Sequence, residues 1–270
     1  MRGHHCITQQ NHSSNNTALD SSEKLHAVLI VLYIINLAGG TLGVIMMSQQ
    51  LFHRRSQSVM TIMIISLLVL HSFMLLSIPF RLSYYILGEW KFGRFACRLA
   101  SAIIYLHMYA TFCCTTAWVG AGWLLGALVV TPVLLSYYGT SKTYLPCECF
   151  QFHRELQEAH MVIVNYCLVG VLVAGCAMLT GIQLTVIYRV AMKYWPDVNS
   201  HVEFRAQAKS FFFILVTLVC FMPHHVFRVY YIQNYDLDKD HKLLLYNEVF
   251  LALATMCCLD MLCFIAGIAH

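Results

Sequence analysis

Charge is what this 270-residue chain has least of: Asp, Glu, Lys and Arg make up 11% of it, against roughly 25% in soluble proteins. Between Arg98 and Lys142 there is none at all. The signatures of common enzyme chemistry are missing too. There is no P-loop, no Gly-x-Ser-x-Gly, no His-Glu-x-x-His and no pair of intramembrane carboxylates, so no enzyme is expected. The first 24 residues are polar and hold no apolar h-region, so no cleaved signal peptide is expected and the first apolar span serves as its own insertion signal.

What fills the chain instead is hydrocarbon. Hydrophobic residues reach 59% and the mean hydropathy is +0.64. Apolar stretches of membrane-crossing length fall at 25–47, 59–80, 96–114, 116–138, 161–188, 211–231 and 246–268. Lipid offers no partner for an open backbone, so each span is expected to be helical. One crossing takes about 20 residues, so the charge-free stretch is too long for one helix and only just long enough for two with a tight turn. The fold class expected is an all-α membrane protein, a seven-transmembrane helix bundle with a truncated hairpin between its third and fourth helices.

Asn11-His12-Ser13 and Asn15-Asn16-Thr17 are glycosylation sequons in the polar segment 1–24. They point to an extracellular amino terminus and a multi-pass plasma-membrane protein. The distribution of positive charge runs against this orientation. Arg54, Arg55, Arg189, Lys193, Arg205 and Lys209 are the inner basic residues, a minority of the 17 Lys and Arg. A second inner loop and an inner tail, where such residues accumulate, are almost absent here, and the reversed balance is assigned to that.

Of twelve cysteines, those at 113, 114, 167, 176, 220, 257, 258 and 263 lie inside spans, where cysteine acts as a small apolar residue. Cys97, Cys147 and Cys149 fall at the oxidising outer surface, where a bridge persists. The expected bridge is Cys97 to Cys149, with Cys147 or Cys6 as alternatives that spacing leaves open. Cys147, Cys149, His153 and His160 are spaced too irregularly for a zinc set, and neither metal nor cofactor is expected.

Trp90-Lys91-Phe92-Gly93 before Cys97, and Cys220-Phe221-Met222-Pro223 inside the sixth span, resemble motifs of the rhodopsin-like G-protein-coupled receptors. In that family a Trp-x-Phe-Gly turn precedes the cysteine bridged to the second outer loop, and a Cys-Trp-x-Pro motif bends the sixth helix. The resemblance implies a receptor that signals by outward movement of that helix, with Pro223 as the bend and a heterotrimeric G protein as partner. Lys193 to Lys209 would form its mobile inner loop.

The chain departs from the family pattern mainly on the inner side. Cys97 and Trp123 are only 26 residues apart, so about half of the third-to-fourth hairpin is missing. The Asp-Arg-Tyr-like triplet that closes the third helix would fall at Gly122, and no acidic-Arg pair lies near it. Gly122, Gly126 and Pro132 fit the outer half of a fourth helix. The sequence ends six residues past Phe264, which leaves no room for an eighth helix. Asp260-Met261-Leu262-Cys263-Phe264 stands where the family has Asn/Asp-Pro-x-x-Tyr, and Phe221 replaces the usual Trp. Phe221, Pro223 and Asp260 are therefore the switch positions. Gly39, Gly40 and Gly43 read as close helix packing.

His71 and His107 fall where the resemblance places a sodium-binding carboxylate and a neighbour facing it. Neutral imidazoles suit a hard cation poorly, so they are expected to form a core histidine pair without sodium. Arg81 and Arg228 lie near the outer ends of the second and sixth spans, and an Arg fork suits a carboxylate or phosphate. His225 with Arg228 repeats a His-x-x-Arg pattern similar to that of nucleotide-binding receptors. The ligand set expected is Arg81, Arg228 and His225, with Tyr105 and Tyr109 on the wall, for a small anion or an acidic lipid. No nucleic-acid partner is expected, and a receptor dimer is a candidate assembly. Two competing readings are a non-signalling ligand-binding or dimerising membrane protein, and a small transporter or channel. The few buried charges and the lack of an inverted repeat disfavour the last.

Overall fold

The computed structural model describes residues 16–52, 59–115, 149–150, 159–234 and 242–256. Among them run α1 (Asn16–Phe52), α2 (Val59–Leu87), α3 (Gly93–Thr115), α4 (Ala159–Lys193), α5 (Val202–Asn234) and α6 (Lys242–Thr255), with a 3-10 turn at Val198–Ser200. The first three helices carry the first three spans, and α4, α5 and α6 carry the fifth, the sixth and the start of the seventh. The fourth span, Asn11, Asn15, Cys6, Cys147 and Asp260 lie outside the described residues, as does the stretch after Thr115 where the hairpin is expected to be shortened.

In α1 the buried positions are Leu29, Tyr33, Asn36, Gly40, Gly43 and Met47. Steps of four and three residues put them on one stripe of the helix. Val28, Val31, Ile34, Ile35, Leu42 and Ile45 point the other way and are exposed. A helix facing water would be polar there, whereas this one is apolar on both faces, as lipid requires. Asn36, at the centre of the stripe, donates to the Ala252 carbonyl at 3.1 Å and to Thr255 Oγ1 at 2.9 Å, tying α1 to α6.

α3 is the most enclosed helix, with Cys97, Ala100, Ser101, Ile104, Tyr105, His107, Met108, Ala110 and Thr111 all buried. It packs on α2 and reaches α5 and α6 across the bundle, while α1 joins α2 to α6 and α5 lies between α4 and α6. One core, including Tyr33, Met74, Ile78, Ile104, Met108 and Phe221, joins α1, α2, α3, α5 and α6.

Glu23–Phe52, Ile64–Leu87, Asn165–Lys193 and Val202–Asn234 are long and apolar enough to cross a membrane. The helices outrun the apolar stretches read from sequence, since α4 has 35 residues and α5 has 33. Hydropathy marks where lipid ends, but the backbone ladder continues past that point.

The segment from Lys193 to Lys209, expected to form a mobile inner loop, comprises the end of α4, a tight turn and the start of α5. Glu203 fastens it, accepting from the Tyr194 hydroxyl at 2.6 Å and from Lys193 Nζ at 3.2 Å. The Tyr194 ring stacks on His201 at 3.9 Å. Lys193 in the last turn of α4 and Glu203 in the first turn of α5 also suit the two helix dipoles.

Candidate functional site

At the other end of the bundle α2 stops at Gly88, whose φ of +70° favours glycine and whose N–H returns to the Tyr84 carbonyl at 2.9 Å. The turn that follows is locked by Trp90 Nε1 donating to the Gly93 carbonyl at 2.7 Å. Trp90 then packs with Cys97, Ala100, Cys149 and Phe150 in a small core of its own. Cys97 and Cys149 are joined by a disulfide across a Cα separation of 5.9 Å. The bridge presses Phe150, held at φ +64°, down onto Arg81, with the guanidinium carbon 4.2 Å from the ring centroid. A phenylalanine takes that backbone conformation only where its surroundings enforce it. Here Tyr84, Tyr85 and Trp90 box the ring in, with centroids 5.4, 6.5 and 5.4 Å away.

Beneath Phe150, Arg81 is 1% exposed. Its Nη1 donates to Glu248 Oε2 at 2.8 Å and reaches the Tyr33 hydroxyl at 3.4 Å. Tyr85 donates to the same carboxylate oxygen at 3.1 Å, and its ring stacks on Tyr33. Helices α1, α2 and α6 thus meet on one buried ion pair.

Arg228 on α5 has a different setting. Its Nε donates to Asn165 Oδ1 of α4 at 2.9 Å, and its Nη1 to the Tyr105 hydroxyl of α3 at 2.8 Å. The guanidinium carbon lies 5.3 Å from the centroid of Tyr105. One turn inward His225 faces Tyr109 at 5.9 Å and His224 at 5.2 Å. Phe221, a further turn inward, is buried in the same core as Tyr105.

Of the five ligand positions read from sequence, Tyr105, Tyr109, His225 and Arg228 thus come together. Arg81 stands apart, in an ion pair with Glu248. Asn165, Glu248 and Tyr85 were not anticipated as site residues. Glu248 carried a usable signal, being an acidic residue inside a membrane span, which calls for an opposite charge. Asn165 carried none.

His71 and His107 form an edge-to-face pair with centroids 4.8 Å apart. A 2.7 Å contact between His71 Nδ1 and the Leu67 carbonyl makes Nδ1 the protonated nitrogen. Among the described residues, neither buried ring nitrogen of His107 has a hydrogen-bond partner. His107 also lines an apolar groove of about 420 Å³ between α2 and α3, with Leu70, Phe73, Leu76, Leu99 and Ile103.

A buried Arg–Glu pair, a disulfide-bridged loop and a polar cluster shared by three helices sit at one end of an apolar helix bundle, the architecture of a membrane protein. Residues 40–118 match the 7 transmembrane receptor (rhodopsin family) description. The chain is 35% identical to the human probable G-protein coupled receptor 141, covering 96% of this chain and 93% of that protein. It therefore belongs to the rhodopsin-like G-protein-coupled receptors, as a multi-pass membrane protein. It is 24% identical to the human cysteinyl leukotriene receptor 2 (96% of this chain, 83% of that protein). It is 22% identical to the mouse N-arachidonyl glycine receptor (79% and 74%).

Proposed function

We propose that this chain is a plasma-membrane receptor with its amino terminus outside, whose ligand is a small acidic lipid anchored by one acidic head on Arg228. Tyr105, Tyr109 and His225 line the site, and Phe221 and Pro223 relay occupancy to the inner half of α5. Arg81 takes no part in binding and serves as the ion-paired tie between α2 and α6. The observation that carries this reading is the convergence of three helices on Arg228: Asn165 of α4 and Tyr105 of α3 orient its guanidinium, and His225 beside it faces Tyr109. Arg81 is paired with Glu248 and covered by Phe150. Two of the relatives are named for acidic lipids, cysteinyl leukotriene and N-arachidonyl glycine, which agrees with an anion anchor beside apolar walls. An amino terminus outside is supported by the disulfide, which persists in an oxidising compartment and joins segments that follow the second and fourth apolar stretches.

A second reading, a ligand-binding or dimerising protein that does not signal, rests on a separate observation. The alignment with receptor 141 runs over 286 positions but covers 96% of 270 residues, so about 27 positions are gaps in this chain. A gap of that size is what a shortened third-to-fourth hairpin requires, and an inner cleft without that hairpin lacks part of its wall. Thermal shifts of the purified protein with N-acyl glycines, compared with their methyl esters, test the site. The acids should stabilise the wild type and not Arg228→Ala, and equal effects of acid and ester would refute it. Nucleotide exchange on added G protein then separates the signalling from the non-signalling reading.

A further inference from the structure

His225 is 2% exposed, and among the described residues its Nε2 has no hydrogen-bond partner. Buried polar atoms in that state are few in folded proteins, and each calls for an explanation. His225 lies three residues before Arg228 on α5, so the two side chains share a face of the helix. Its ring faces Tyr109 of α3 at 5.9 Å, and Tyr105, one turn away on the same helix, accepts from Arg228 at 2.8 Å. His225 therefore stands on the wall of the same site, about 4.5 Å from the level of Arg228 along the helix axis, toward the middle of the bundle.

We infer that His225 selects acidic lipids that carry a second, neutral polar group, a hydroxyl or an amide, a short way along the chain from the acid. The inference rests on the reading given above of Arg228 as the anchor of the acid. A plain fatty acid lays only methylene groups against the ring, and a polar atom kept from water without a partner lowers affinity. A hydroxyl both donates and accepts, so it satisfies Nε2 in either tautomer of the imidazole, and an amide offers N–H and C=O for the same purpose. Position matters as much as type. At about 1.5 Å per bond, roughly four or five bonds from the acid carbon span the step between the two residues and allow for the bend of the chain. A hydroxyl at mid-chain lies well past the ring. The guanidinium thus reads charge, and the imidazole reads which acids share it. One neutral hydrogen bond gained at a buried atom strengthens binding on the order of tenfold.

The test titrates the purified full chain with acids of similar length and follows binding by thermal shift. The probes are stearic acid, stearic acid hydroxylated at the fifth carbon, stearic acid hydroxylated at the twelfth, and N-palmitoyl glycine. The fifth-carbon alcohol and the acyl glycine should each bind on the order of tenfold tighter than stearic acid, and the twelfth-carbon alcohol should show no such gain. A gain from one of the two alone supports the inference and narrows the class to hydroxy acids or to amides. In His225→Phe the advantage of the polar acids over stearic acid should vanish, and His225→Gln, whose amide also donates and accepts, should restore part of it. The inference is overturned if neither polar acid outbinds stearic acid, which would mean that ordered water meets Nε2, or if the advantage survives in His225→Phe. If His225→Phe does not fold, the ranking in the wild type and in His225→Gln decides. Stearic acid that binds through Arg228 and gains nothing from a hydroxyl or an amide would leave the anchor standing and remove this inference. Failure of every acid to bind would remove the anchor, and the inference with it.

Discussion

Arg81 on α2 and Glu248 on α6 meet at 2.8 Å in the interior of the bundle, 167 residues apart in the chain. Both side chains are almost fully enclosed. Removing one partner leaves the other as a lone charge, which in a buried pair costs about 3–5 kcal/mol. Glu248→Gln should therefore lower the thermal unfolding temperature sharply. The double variant Arg81→Met, Glu248→Leu should recover most of the loss, because a matched apolar pair is often neutral. If the double variant melts no higher than the single one, the pair is not the tie described here.

Arg228 should behave in the opposite way. A hydrogen bond to a charged group contributes about 1.5–3 kcal/mol, so Arg228→Ala should weaken an acidic ligand by roughly 10- to 150-fold. Asn165→Ala should weaken it less, by freeing the guanidinium to turn. Phe150→Ala should change ligand affinity little, since Arg81 beneath it is held by Glu248. In Phe150→Ala combined with Glu248→Gln, Arg81 becomes a second anion anchor, and ligands with two acidic heads should gain over those with one. Competition binding with mono- and dicarboxylic lipids checks each of these outcomes.

Opening the Cys97–Cys149 bridge frees Phe150 from its box. The bridge closes a loop with a sequence separation of 52 residues, and removing such a link costs typically 2–4 kcal/mol. Cys97→Ser should lower the unfolding temperature, and Cys149→Ser should do so equally. The double variant should add nothing, because both single changes remove the same bond.

His107 lends itself to a stabilising change. Its two ring nitrogens are buried and have no hydrogen-bond partner among the described residues, and unsatisfied buried polar groups cost about 1–3 kcal/mol each. His107→Leu, of similar volume, should hold or raise the unfolding temperature of the purified receptor. A fall of several degrees would mean that an ordered water or an ion satisfies the imidazole.

How much of this was open to sequence reading follows the range of each interaction. The described helices fall where apolar runs demanded them, and of the bridges left open the structure contains Cys97–Cys149. The packing stripe of α1 was hidden. Ile34, Ile35 and Leu42 on its lipid face are as apolar as Leu29 and Met47 on its buried one, so no periodicity separates them. Tyr105, Tyr109, His225 and Arg228 could be grouped because the resemblance fixed the depth of each along its helix. The Glu248 partner of Arg81 could not be found from spacing, since nothing local links residues 81 and 248. The fastening of the α4–α5 turn by Glu203, Tyr194 and His201 was not legible, because those side chains in composition alone look like an ordinary solvated loop.

The buried residues of α5 are Phe221, His224, His225, Arg228 and Tyr231, all in its C-terminal half; between Val202 and Cys220 no described side chain is buried. The helix is a mast stepped firmly at one end. Its free length rests on α4, so where α5 spans a membrane its tilt answers to the thickness of the surrounding hydrocarbon as well as to its packing.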